Sequence, residues 1–128
     1  MKKKFKKILI SIKPEFADKI LNGEKKFEYR TKLPKSDINY LLIYWTFPTM
    51  KILAKVKVDY VIKSTPIEMW KETKSFSGIS EEKFFKYFKN KKNAYAFKLG
   101  KIIKFKKPKK LSDFKISFAP QSFVYINN

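Results

Sequence analysis

"ILISIKPEFADKILNGEKKFEYR", residues 8–30, changes its hydrophobic period twice, and those changes lay out the start of a fold. The apolar, largely β-branched run Ile8–Ile12, broken only by Ser11, predicts a strand over 5–12. Pro14 then takes the first helical position, where its missing N–H is no loss. Phe16, Ala17, Ile20 and Leu21 recur at helical spacing, so Pro14 to Asn22 reads as a short helix with one apolar stripe. Gly23 stands where a helix reverses hand to stop. From residue 25 to 32 the period becomes two. Phe27, Tyr29 and Thr31 point one way; Lys26, Glu28, Arg30 and Lys32 point the other.

The rest of the chain reads in the same terms. "INYLLIYWTF" (38–47) is nearly all apolar, as in a strand covered on both faces. "KILAKVKVDYVI" (51–62) alternates, which turns Ala54, Val56, Val58 and Tyr60 inward and Lys55, Lys57 and Asp59 outward. "TPIE" (65–68) is a capping box that opens a helix at Pro66, with Trp70 on it. Ser80 caps another helix, with Glu81 and Glu82 at the positive end of its dipole and Phe84, Phe85 and Phe88 on its apolar face. "AYAFKL" (94–99) and "KIIKFK" (101–106) read as two strands around Gly100, "KKPKK" (106–110) as an extended solvated stretch, and "QSFVYI" (121–126) as a closing strand. The order β-α-β-β-β-α-α-β-β-β contains no repeated βαβ unit. It predicts an α+β fold: a small, partly open mixed or antiparallel β-barrel of about six strands, with two to three short helices over its ends. A single domain over residues 1–128 is expected.

Composition narrows the function. At 128 residues and 44 % apolar, the chain can bury one core and is not a disordered polymer. A formal net charge of +20 attracts polyanions, which points to nucleic acid, RNA or DNA, with an anionic membrane surface as a weaker rival because no long basic amphipathic helix is visible. The competing reading is a lysine-rich solvated surface produced by codon bias. There is no cysteine and no histidine. Disulfides, thiol nucleophiles, Cys/His zinc sites, imidazole bases and Ser-His-Asp triads are therefore excluded. No cofactor or metal is indicated, and any catalysis must use Lys, Glu, Asp, Ser, Thr or Tyr. Ile8–Ile12 is too short for a signal sequence or a membrane span, so a cytoplasmic protein without a membrane segment is expected. A small chain of this charge is expected to be a monomer.

Arg30 is the only arginine among 31 basic residues. It marks a place where a planar fork is needed and lysine does not serve. Glu28 shares its strand face at about 7 Å by strand rise. Arg30 could take a phosphate or a base edge bidentately, and Glu28 could accept from an exocyclic amine or position a water. The alternative is an exposed ion pair of little consequence. Aromatic and basic residues interleave in "YWTFPTMK" (44–51) and "FFKYFKNKKNAYAFK" (84–98), which suits single-strand stacking. Trp45 and Tyr95 are the stacking candidates, because helical spacing assigns Phe84, Phe85 and Phe88 to the core. In "PQSF" (120–123), Gln121 and Ser122 offer an amide and a hydroxyl to a base edge. A lysine crowded by like charges can have a lowered pKa and act as base or nucleophile.

Residues 8–30 resemble the opening of ASCH domains, small β-barrels of the PUA-like group. The shared pattern is a helix ending in glycine, then lysine, an acidic or hydroxyl residue, and arginine: here Gly23, Lys25, Glu28 and Arg30. "IYWTFP" (43–48), the helical stretch "WKETKSFSGISEEKFFKYF" (70–88), "AYAFKL" and "PQSFVYI" are similar to later parts of small stand-alone members. The resemblance implies a cleft beside the first helix that binds RNA or a modified nucleoside. It would be lined by Lys13, Lys25, Glu28, Arg30, Thr46, Tyr95, Gln121 and Ser122. Many members are labelled regulators. Other relatives are hydrolases, which implies an alternative: a metal-independent ribonuclease, or an amidohydrolase on an acylated nucleoside, with Lys25 and Glu28 catalytic. One branch deacetylates acetylated cytidine with a Lys, a Thr and a Glu; Glu28 stands where that branch has its threonine.

Overall fold

In chain order the elements are β1 (Lys7–Ile12), α1 (Pro14–Leu21), β2 (Phe27–Arg30), β3 (Tyr40–Trp45), β4 (Lys51–Ser64), α2 (Pro66–Thr73), α3 (Glu81–Tyr87), β5 (Ala94–Lys109) and β6 (Phe123–Ile126). The structure, a computed structural model, describes residues 6–126. Phe5, the expected first residue of β1, lies outside them. The local signals act as the sequence predicts. Pro14 and Pro66 sit in the first turns of α1 and α2, and Gly23 follows α1 at φ 87°. The Thr65 and Ser80 hydroxyls accept from the amides of Glu68 and Lys83. Among the described residues no helix is long and apolar enough to cross a membrane.

The six strands form one mixed sheet in the order β2-β5-β4-β3-β1-β6. β1 and β3 run parallel, and the other neighbours are antiparallel. The fold is α+β and PUA-like, and no backbone ladder closes the barrel between β2 and β6 among the described residues.

Both faces of the central strands are covered. On one face α1 sets Ala17 and Ile20 against Ile8, Ile10, Leu41, Ile43 and Val56. On the other, Leu9, Leu42, Tyr44 and Ile52 are capped by Leu111, Phe114 and Ile116. A third cluster joins β2 to the helices: Phe27 and Tyr29 pack with Met69, Phe84 and Phe88. The Tyr29 and Phe84 rings meet edge to face at 4.9 Å. Each fully buried ring of this kind contributes about 2–3 kcal/mol of transfer free energy. This cluster fixes β2 from behind and leaves its other face to the site.

Two expectations are corrected. The segments around Gly100 and the "KKPKK" stretch are one 16-residue strand, β5. Gly100 does not break it, because the glycine admits a close neighbour: a Cβ there would fall on the Asp59 carboxylate. Pro108 is tolerated because it lies in a bulge, between the pairs Ala54↔Lys104 and Ile52↔Lys109. Tyr60 points outward, not inward, because the β4–β5 register shifts between Val58 and Tyr60 and resets the alternation.

Candidate functional site

Lys25 is set by the turn that follows α1. Its amide donates to the Lys19 carbonyl at 3.0 Å, and its side chain runs inward until only 4 % is exposed. The ammonium donates to the Ser77 carbonyl at 2.7 Å and stands 4.6 Å from the Tyr29 ring centre. Gly78, at φ 63°, passes so close that a Cβ there would strike the Lys25 side chain. The Ser77–Gly78 turn therefore holds the lysine along its length. Burial pushes the Lys25 pKa down from 10.5 to about 8; Glu28 opposes the shift, while Arg30 and Lys19 add to it. At pH 7 about a tenth of such a group is neutral, far more than for an exposed lysine.

Glu28 and Arg30 form a partly buried pair rather than an exposed one: Glu28 is buried and Arg30 half-buried. Arg30 Nη2 lies 2.8 Å from Glu28 Oε2, and Nε donates to the same oxygen at 3.0 Å. Arg30 Nη2 also donates to the Ser11 carbonyl of β1 at 3.1 Å. The fork thus serves a carboxylate and a carbonyl from two separate nitrogens held in one plane, a geometry that the single nitrogen of a lysine does not offer. Behind the pair, Tyr29 and Thr73 share a hydroxyl hydrogen bond at 2.6 Å, and burial pushes the Tyr29 pKa up to about 12.

These groups face a cavity of about 270 Å³. Its charged wall is Lys25, Glu28 and Arg30, its apolar wall includes Ile12, Phe16 and Ile79, and Lys13 and Tyr87 also line it. Burial raises the Tyr87 pKa as well. The space suits one planar ring with polar edges, smaller than a drug-sized pocket.

Lys13, Lys25, Glu28 and Arg30 come together here as the sequence suggests. Tyr95 is half-buried and pairs with Arg30 across β2–β5, but it is outside the cavity wall. The Thr46 amide donates to the Ile12 carbonyl at 3.1 Å, which places Thr46 beside the wall, not in it. Gln121 and Ser122 are exposed; the Ser122 carbonyl accepts from the Ser11 amide at 3.3 Å, so this loop flanks the site. Trp45 is a correction. It is 1 % exposed, and its indole N–H donates to the Asp18 carboxylate at 2.9 Å, so it has no face free for a base. Ser11, Phe16, Ser77, Ile79 and Tyr87 were not singled out as site residues. Phe16 carries a signal on the helix stripe and Tyr87 one in the aromatic–basic stretch 84–98; the others reach the site through tertiary folding.

A curled six-strand sheet with a buried Lys–Glu–Arg cavity beside its first helix defines a small PUA-like domain. The ASCH domain family model matches residues 10–109, and the chain belongs to that family. Over 95 residues it is 27 % identical to an ASCH domain-containing ribonuclease of Zymomonas mobilis, covering 73 % of this chain and 64 % of that protein. Over 120 residues, 93 % of this chain, it is 28 % identical to the ATP synthase subunit alpha of Ureaplasma parvum and 27 % identical to its large ribosomal subunit protein uL22. Those matches span only 15 % and 39 % of the two Ureaplasma proteins, so the chain covers less than two thirds of each of these relatives. The fold matches the crystal structure of ASCH from Zymomonas mobilis with a TM-score of 0.87 at 24 % identity, over 95 % of this chain and 88 % of that one. A mutant of the same protein matches at 0.86, over 95 % and 91 %.

Proposed function

We propose that this chain binds RNA and seats one nucleotide unit in the Lys25 cavity. The observation that carries the reading is the pair of buried charges Lys25 and Glu28 with the half-buried Arg30, beside an apolar wall in a protein of net charge +20. The field gathers polyanions without regard to sequence, and the cavity adds selection. The apolar wall takes a ring, Lys25 and Arg30 attract a phosphate, and Glu28 accepts from an exocyclic amine. Modified nucleosides are within the same chemistry.

The test is fluorescence anisotropy at near-physiological salt. Short single-stranded RNA and matched DNA are titrated with wild type and Arg30→Ala, the fold of each protein being checked by circular dichroism. RNA is expected to bind more tightly than DNA. The variant is expected to lose that preference together with about 1–3 kcal/mol. Four coincident curves would sink the reading.

Two observations favour a second reading, metal-independent RNA cleavage: the Lys25 pKa is pushed down to about 8, and a relative carries the name ribonuclease. Neutral Lys25 would accept the proton of a ribose 2′-hydroxyl as that oxygen bonds to the adjacent phosphorus. The 5′-oxygen would leave and take a proton from water, giving a 2′,3′-cyclic phosphate and a 5′-hydroxyl end. Arg30 would balance the charge that develops on phosphorus, with Glu28 holding its fork. On an acylated nucleoside the same lysine would instead activate a water positioned by Glu28. Turnover should survive chelator and vanish in Lys25→Ala with the fold intact. No product from short RNAs or from acylated nucleosides would end this reading.

A further inference from the structure

A second cavity, larger and more open at about 740 Å³, lies between the β3–β4 corner and the segment before β6. Pro48, Met50 and Lys51 form one side, and Lys110, Lys115 and Ser117 the other. Two aromatic side chains stand in solvent one residue beyond this wall: Phe47, 79 % exposed, precedes Pro48, and Phe118, 84 % exposed, follows Ser117. Met50 (φ 52°) and Lys115 (φ 59°) both hold left-handed backbone that non-glycine residues avoid. Such outliers gather at binding loops. The one carboxylate of the 110–117 stretch, Asp113, is taken up by the Lys110 amide at 2.9 Å and does not line the cavity.

The two cavities open at the same end of the sheet. Ser11, on the wall of the Lys25 cavity, is the register partner of Tyr44, on the wall of the larger one. Ser11 also holds the intervening loop: its hydroxyl donates to the Pro120 carbonyl at 2.7 Å and its amide to the Ser122 carbonyl. The 117–122 segment thus runs from the wall of the larger cavity to Ser11 on the wall of the first.

Lysine is depleted at protein–protein interfaces. Lysines beside exposed aromatic faces suit a single-stranded nucleic acid, whose phosphates take the charge while bases stack regardless of sequence. We infer that the larger cavity is a second subsite for the same RNA, binding the nucleotides that run on from the Lys25 cavity. Lys51, Lys110 and Lys115 hold phosphates, and Phe47 and Phe118 stack bases. The inference rests on the RNA reading proposed above, and the test separates the two sites.

Fluorescein-labelled oligocytidylates of three and twelve nucleotides are titrated by anisotropy over a salt series. The proteins are wild type, Arg30→Ala, and a triple variant (Lys110→Ala, Lys115→Ala, Phe118→Ala) whose three sites are all exposed. The triple variant is expected to bind the 12-mer at least tenfold more weakly and the 3-mer within twofold of wild type. Its slope of log affinity against log salt should be shallower by about 1.4, from two lysines on a single strand. If the triple variant weakens only the 12-mer while Arg30→Ala changes neither, the larger cavity binds RNA on its own and the nucleotide seat fails, which overturns the continuation from one to the other. Unchanged 12-mer binding in the triple variant overturns the inference, as does an equal loss for both lengths. A polyglutamate peptide that displaces the 12-mer as well as unlabelled RNA does would assign the surface to an acidic protein segment and also overturn it. Failure of wild type to bind the 12-mer at all removes both sites.

Discussion

Arg30 Nη2 donates to the Ser11 carbonyl at 3.1 Å, and the two residues lie on β2 and β1, with β5, β4 and β3 between them in the sheet. The sheet has therefore curled until its first strand faces its fifth. A side chain bridges the gap that no backbone ladder closes, and the Lys25 cavity lies beside that bridge.

Arg30→Lys tests the bridge. A single ammonium cannot serve both Glu28 Oε2 and the Ser11 carbonyl with the same geometry, so one buried acceptor is left short. Urea denaturation at pH 7 is expected to show a loss of about 1–3 kcal/mol. A loss below about 0.5 kcal/mol, within the range of ordinary surface changes, would mean that the bridge does not hold the curl.

Lys25→Met tests the burial of charge. The folded lysine titrates near about 8 and the unfolded one at 10.5, so between those values the unfolded chain binds more protons. Wild-type stability therefore rises with pH across that window, and the variant lacks this rise. The variant's advantage should be largest below pH 8 and shrink by about 3 kcal/mol by pH 10.5. Tyr29, raised to about 12, acts the other way above pH 10 but is common to both proteins and cancels in the difference. A pH-independent difference in urea denaturation would show that the lysine is not desolvated in solution.

Gly78→Ala tests the grip on that lysine. The new methyl needs left-handed backbone and collides with the Lys25 side chain. A loss of more than about 1 kcal/mol is expected. The Lys25 ammonium, followed by NMR, should titrate closer to 10.5 than in wild type. An unmoved titration would detach Gly78 from the site.

The site was legible where it is local and hidden where it is not. Lys25, Glu28 and Arg30 fall within six residues, and one strand period puts the last two on one face. Ser11, Ser77 and Tyr87 come from three distant segments, and nothing in their own neighbourhoods announces a shared cavity. The helices were legible for the same reason: Pro14, Thr65, Pro66 and Ser80 act within one turn. Gly100 and Pro108 misled, because whether they break a strand depends on Asp59 of β4 and on a bulge in β5 that exists only through its pairing with β4.

Trp45→Phe separates core from ligand contact. The substitution removes the indole bond to Asp18 and leaves a void beneath α1. Thermal or urea unfolding should show a loss of about 1–3 kcal/mol, with RNA affinity within twofold of wild type. A large loss of affinity with little loss of stability would restore Trp45 as a stacking residue.

A collar that is joined by a side chain rather than by a ladder has a seam, and a seam opens before the cloth tears. Among the described residues β2 has a strand partner on one side only, so its amides should exchange with deuterium sooner than those of β1 and β3, which are paired on both sides. Any ligand seated against Lys25 and Arg30 would lie across that seam and slow the exchange. The same breathing that admits a guest is then quieted by it, which makes occupancy of the cavity readable from four residues of strand.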